Sequence, residues 1–322
     1  MTGTLLLFFS TALGSILLGY VLKSVVLSRN AATDMQLRTV SKYMKVLAII
    51  MLEPIPVINS FWTLQLISPK LLLMVFFGVV YAWVSMFSAV YIGRRARYDD
   101  STAASFFVSV AFSNFGTFGG LAALLLFGHT GYALVMLAIV LSPIVNFGYG
   151  YLVSHNISRG HKAPFQISLK GFSSSPVIYI PLISVCIGLA LRVSGVQHTV
   201  LLNTLTSILV PVQATVIGIA FGMTLKVRAI RKYLRILASI VMIKYLVIPF
   251  IIIPVAMLFG MHQIMDGLPL YIIILLIYMP VAINALIPPV LYGFDLDLVN
   301  SAWIVTTLGL CIIFPLLLVL LS

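Results

Sequence analysis

GLPLYIIILLIYMPVAINALIPPVLYGF (267–294) decides the fold. It carries no charged residue and is long enough to cross a bilayer, since a helix rising 1.5 Å per residue needs about 20 apolar residues to do so. Its middle is nevertheless broken: Pro280 precedes Asn284, and Pro288 and Pro289 follow it. Proline removes a backbone donor and clashes with the preceding turn. In lipid the freed backbone groups need partners inside the protein or along a cavity. This stretch therefore predicts a membrane span that unwinds near Asn284.

Working outward, nine further runs have the same character: 4–22, 46–67, 71–93, 101–128, 130–153, 172–191, 199–225, 236–261 and 298–321. None alternates as a membrane barrel strand would. The 322 residues are 61% hydrophobic and 8% charged, against roughly 25% charged in soluble domains. The fold class expected is an all-α polytopic membrane protein of ten spans. The first run has no basic residue before it and no small-residue cleavage site, so it reads as a retained span.

The formal charge of +12 does not make this a nucleic-acid binder, because the basic residues sit in short loops between apolar runs. Sixteen of the nineteen lie in odd-numbered loops: Lys23, Arg29, Arg38, Lys42 and Lys45; Arg94, Arg95 and Arg97; Arg159, Lys162 and Lys170; Lys226, Arg228, Arg231, Lys232 and Arg235. Even-numbered loops hold Lys70 and Arg192, and Lys244 lies within a span. Positive residues mark the cytoplasmic side. Both termini are thus expected outside, in the cell membrane.

Five spans per half is an odd number, so two similar halves are inverted relative to each other. The run starts at 4 and 172, Asn114 and Asn284, and Pro143 and Pro315 are separated by 168, 170 and 172 residues. Residues 1–153 read as the first five-helix repeat, 154–171 as a cytoplasmic linker and 172–322 as the second repeat. Inverted repeats with paired broken helices are common in secondary transporters. The fourth span, SFFVSVAFSNFGTFGGLAALLLFG (105–128), matches the ninth: Gly116, Gly119 and Gly120 follow Asn114 and weaken the helix. Crossing there, two half-helix N-termini and two neutral amides suit a carboxylate. The alternative is kinked packing alone.

The runs SNFGTFGGLAALLLFG, MPVAINALIPPVLYGFDLDLVNS with its downstream TTLGLCIIFPLLL, and GIAFGMTL (218–225) resemble the auxin efflux carrier family, within the wider bile acid and auxin carrier group. The likeness covers most of the chain, and the short central loop looks prokaryotic. It implies secondary transport of organic anions, auxin-like or malonate- and malate-like. It also implies crossed broken helices with an asparagine on each, matching Asn114 and Asn284. It implies an elevator, with spans 1, 2, 6 and 7 as scaffold and spans 3–5 and 8–10 mobile. Family members carry a proline soon after the first asparagine; here Leu121 stands in that place.

Two charges lie deep in spans, Glu53 in LEPIP and Lys244 in MIKYLVIP. Each costs roughly 2.5–3.5 kcal/mol in lipid on insertion scales, so each should face protein or water. Lys244 reads as a source of positive potential for an anion, or as a structural or snorkelling residue. Glu53 reads as a proton-coupling group, or as a cap or salt bridge near Pro54 and Pro56; a pairing of the two charges with each other is the remaining alternative. The substrate-binding set expected is Asn114, Asn284, Gly116, Gly119, Gly120, Pro280, Pro288 and Lys244. Gly218 and Gly222 permit close helix approach, within the chain or in a homodimer. Trp62, Tyr98 and Tyr292 read as interfacial anchors. The histidines, His129, His155, His161, His198 and His262, read as solvated loop residues without metal-ligand spacing, and Cys186 and Cys311 indicate no disulfide.

The function expected is a proton-driven or uniport carrier of a small organic anion. No cofactor, metal or nucleic acid is expected; the partners are a small carboxylate and the bilayer. A sodium-coupled symporter is the nearest rival, although sodium wants several oxygen ligands and acids are scarce in the spans. A receptor without transport is the rival of another class. An intramembrane enzyme is not indicated, since HExxH and Ser/His or paired-Asp constellations are missing from the spans.

Overall fold

A computed structural model of the chain describes residues 2–29, 33–64, 69–160, 176–225 and 227–321. The described residues are helical, apart from turns and one isolated antiparallel bridge. In chain order the helices are α1 (Gly3–Ser28), α2 (Asp34–Thr63), α3 (Pro69–Arg95), α4 (Asp100–Ala111) and α5 (Phe115–Ser158). They continue as α6 (Pro176–Val193), α7 (Val200–Gly222), α8 (Ala229–Leu258), α9 (Leu268–Ile277), α10 (Ile283–Tyr292) and α11 (Leu296–Leu321). Seven of them, α1–α3, α5, α7, α8 and α11, are long and apolar enough to cross a membrane. The chain is thus an all-helical membrane protein. The two runs expected to be interrupted are the ones divided into shorter pieces. Within α5, Gly128 adopts φ +63, ψ −157 and bends the chain where the sequence places a boundary between spans.

Several boundaries differ from expectation. Arg38, Lys42 and Lys45 lie on helix α2 rather than in a loop, and Arg231, Lys232 and Arg235 lie on α8. Helix α5 runs to Ser158, so the start of the expected 154–171 linker is helical; residues 161–171 of it, with His161, Lys162 and Lys170, lie outside the described residues. His129 and His198, expected to be solvated, are half-buried and hydrogen-bonded. For the basic residues the reason is that lysine and arginine stems cover apolar surface while their heads stay polar, so charge alone does not end a helix; the histidines can be half-buried because their rings are hydrogen-bonded.

The chain forms two compact units. Unit 1 comprises residues 1–65, 116–136 and 175–225; unit 2 comprises 66–115, 137–174 and 226–322. Each draws on both sequential halves. Unit 1 holds the expected scaffold spans, and unit 2 most of the expected mobile ones. The segment 116–136, expected with the mobile spans, groups with unit 1.

Glycine sets the packing in unit 1. A Cβ on Gly222 would sit 2.0 Å from the Ile16 carbonyl oxygen, and one on Gly19 2.1 Å from that of Ile219. A Cβ on Gly218 would strike Ser15. Helices α1 and α7 therefore touch backbone to backbone, and the small-residue face of α7 is spent inside the chain rather than on a homodimer contact. Lys45 lies over the Phe221 ring at 3.9 Å, as a cation–π pair.

Candidate functional site

The site grows from two backbone breaks in unit 2. Helix α4 ends at Ala111, Phe112 is extended, and the chain stays non-helical through Asn114 before α5. Helix α9 ends at Ile277, and Tyr278–Ala282 run non-helical before α10. Pro280 cannot donate into a helix, and it pushes the residue before it out of helical geometry. The two breaks pair: Asn114 N–H donates to the Pro280 carbonyl at 2.9 Å, and Ala282 N–H to the Phe112 carbonyl at 2.9 Å. Ser113 and Val281 face each other as an antiparallel bridge. Val281 N–H is taken instead by Thr306 Oγ1 of α11 at 3.1 Å, so the break leaves few backbone groups idle.

Lys244 reaches this bridge. Its side chain is fully buried, and its Nζ donates to Ser113 Oγ and, at 3.3 Å, to the Tyr81 hydroxyl. Tyr81 and Ser113 also share a short hydrogen bond. Pro249 explains the local backbone. It cannot donate to Tyr245, and the turn Ile243–Val247 widens into a π-helical turn that contains Lys244. The neighbouring Tyr245 hydroxyl is fixed on the Thr306 carbonyl at 3.1 Å.

The side-chain carboxylates of unit 2, Asp99, Asp100, Asp266, Asp295 and Asp297, lie among the described residues, and none pairs with this lysine. Asp34 holds Lys23 and Arg38, Asp99 caps α4, and Asp295 caps α11 while accepting from Tyr233. Glu53, in unit 1, accepts from Gln213 Nε2 at 3.1 Å. The sequence left open a pairing of Glu53 with Lys244; the partners found are Gln213 for Glu53, and Ser113 and Tyr81 for Lys244. Glu53 follows a π-helical turn, Ala48–Leu52, opened by Pro54 and Pro56.

No family model matches the chain, and no curated protein matches it.

The expected site residues divide as follows. Asn114 is buried and adjoins the bridge residue Ser113. Asn284 is half-buried in the first turn of α10, three residues after Val281, and its carbonyl accepts from Tyr151 at 2.8 Å. Pro280 supplies a bridge carbonyl, and Pro288 lies buried in α10. Lys244 belongs to the same cluster. Gly116, Gly119 and Gly120 lie on the first turns of α5; Gly116 is exposed, whereas Gly120 is buried against the Tyr132 ring of unit 1. Leu121 is fully buried in continuous helix.

Sequence reasoning missed Ser113, Tyr81 and Thr306. Ser113 was legible as the residue before Asn114. The signal for Tyr81 is its depth: it stands mid-helix in α3, away from the ends where interfacial tyrosines gather. Thr306 carries no such signal, since threonines are scattered through the spans.

Proposed function

We propose that this protein is a secondary carrier of a small organic anion, bound at the crossover of unit 2. One observation carries the reading: the fully buried Lys244 amino group donates to the crossover residue Ser113, and none of the described side-chain acids of unit 2 pairs with it. An uncompensated buried charge is strongly unfavourable. A carboxylate entering beside Ser113 and Asn114 supplies the missing charge. The asparagine amides add neutral donors, and the half-helix N-terminus of α10 adds a favourable dipole.

The ten-span, inverted-repeat architecture is part of this proposal. It is supported by the seven long helices, by α6, and by the matched breaks at 112–114 and 278–282. Basic residues in odd loops support both termini outside, and the chain's likeness to auxin efflux carriers supports an elevator in which unit 2 carries the anion. Proton drive through Glu53 is the coupling proposed, with uniport as its alternative. Glu53 suits it because its partner is a neutral amide rather than a cation.

The test has two stages. A thermal-shift screen of mono- and dicarboxylates on purified protein should reveal stabilising ligands, since a ligand that binds only the native state raises its stability. Flux of those ligands into proteoliposomes then separates a carrier from a receptor. Stabilisation without flux would refute transport. Glu53→Gln should keep ligand binding but lose acceleration by an imposed pH gradient; unchanged acceleration removes Glu53 from coupling. Sodium stimulation at fixed pH would favour a symporter instead.

A further inference from the structure

We infer that the carrier exchanges one monocarboxylate for another much faster than it moves either alone. The inference rests on the anion-carrier reading and concerns the charge that unit 2 holds with and without its ligand. Lys244, Ser113, Tyr81 and both backbone breaks belong to this one unit, so they travel together. With a monocarboxylate bound, ammonium and carboxylate form a neutral pair. Without it, the unit holds one buried positive charge that none of its own described side-chain acids offsets.

The hydroxyls of Ser113 and Tyr81 compensate only in part, because they are dipoles and also bond each other. The cost of an unpaired lysine at mid-membrane corresponds to roughly a 100-fold slower crossing. The hydroxyl contacts reduce that penalty, so a difference of about 10- to 100-fold between loaded and empty return is expected. One ammonium also matches one carboxylate. A dianion leaves a second charge unbalanced and should serve less well as exchange partner.

The experiment uses full-length protein in liposomes and a panel of radiolabelled monoanions: indole-3-acetate, lactate and pyruvate. Initial uptake is compared between empty vesicles and vesicles preloaded with the same unlabelled acid. Preloading should accelerate uptake about 10- to 100-fold, and preloaded malonate should accelerate it several-fold less. Lys244→Arg keeps the charge and should keep the acceleration. Lys244→Met removes the charge, and in folded protein the ratio should fall towards one. Equal uptake into empty and preloaded wild-type vesicles overturns the inference while leaving the carrier intact. Uptake driven by external acid with no effect of preloading overturns it too, because the amine then returns without its proton. Equal acceleration by malonate overturns the charge match. Absence of uptake for every monoanion overturns the carrier reading itself.

Discussion

In unit 2 the buried Lys244 amino group rests on two hydroxyls beside a broken backbone; in unit 1 Asn59 sits in a closed polar set. Asn59, almost fully buried, donates from Nδ2 to Asn203 Oδ1 at 3.1 Å and to Thr206 Oγ1 at 2.9 Å, and its Oδ1 accepts from His198 Nε2 at 2.7 Å. Its donors and its acceptor all have partners, so the cluster ties α2 to α7 and asks for nothing further. At Lys244 two hydrogen bonds are made, to Ser113 and Tyr81, but the charge is not matched within unit 2. Hydrogen bonding and charge balance are separate requirements of a buried group. A polar site that meets both holds helices together, while one that meets only the first is poised for a ligand.

Lys244→Met should break this contrast most severely. It removes the only full charge at the crossover, and anion affinity should fall by about 100-fold or more, given that breaking a buried ion pair costs roughly 3–5 kcal/mol. The apo protein should melt at or above the wild-type temperature, since an unmatched charge has been replaced by an apolar chain. Titration calorimetry and a melting curve measure the two effects. An unchanged affinity would place the anion elsewhere.

Asn114→Ala and Asn284→Ala come next. Each removes a neutral amide from an anion contact, and hydrogen bonds to charged groups are worth about 1.5–3 kcal/mol, or roughly 10- to 150-fold in affinity. The measurement is ligand affinity on monodisperse protein, with melting temperature as the folding control. Near-wild-type affinity in both variants would reduce the crossover asparagines to packing residues.

The breaks at Asn114 and Asn284 were legible because proline and glycine act locally. Pro280 and Pro288 forbid backbone bonds wherever the helices go, and the matching spacing of the two halves located the partner break. The lysine's depth was legible for the same reason, since charge is scarce in a span. Which side chains meet was not. Helices apolar on all sides carry no stripe that fixes their rotation, so nothing local announces that Tyr81 faces Lys244 or that Gln213 faces Glu53. The small residues of α7 announced close approach but not the approaching helix. Likewise the grouping of 116–136 with unit 1 depends on packing among helices distant in sequence.

Asn59→Ala turns the comparison towards stability. It strands the partners His198, Asn203 and Thr206 in unit 1, and a buried polar group left unsatisfied costs about 1–3 kcal/mol. The melting temperature should drop by several degrees while anion affinity stays within about twofold of wild type. A loss of affinity with no change in melting would mean that unit 1 contributes to the ligand site.

Asp99 provides the smallest effect and calibrates the others, because its bonds compete with water. It precedes α4 between two helices, and its Oδ1 accepts from Thr102 N–H at 3.0 Å. Its contacts with Thr102 hold the carboxyl below the usual carboxylate range. A carboxyl whose folded pKa is depressed contributes stability above its unfolded pKa of about 3.9, and loses it as pH falls through the folded value. Removing an N-cap costs about 0.5–2 kcal/mol, and exposure places Asp99 at the low end. Asp99→Ala should therefore lower the melting temperature only slightly near neutral pH, and the difference from wild type should shrink as pH falls below about 4. Asp99→Asn, which keeps a capping oxygen, should lie between the two near neutrality and vary less with pH. If Asp99→Ala destabilised the protein as much as Asn59→Ala, burial would add nothing to the worth of a polar contact, and the contrast between a solvated cap and the closed cluster of unit 1 would fail.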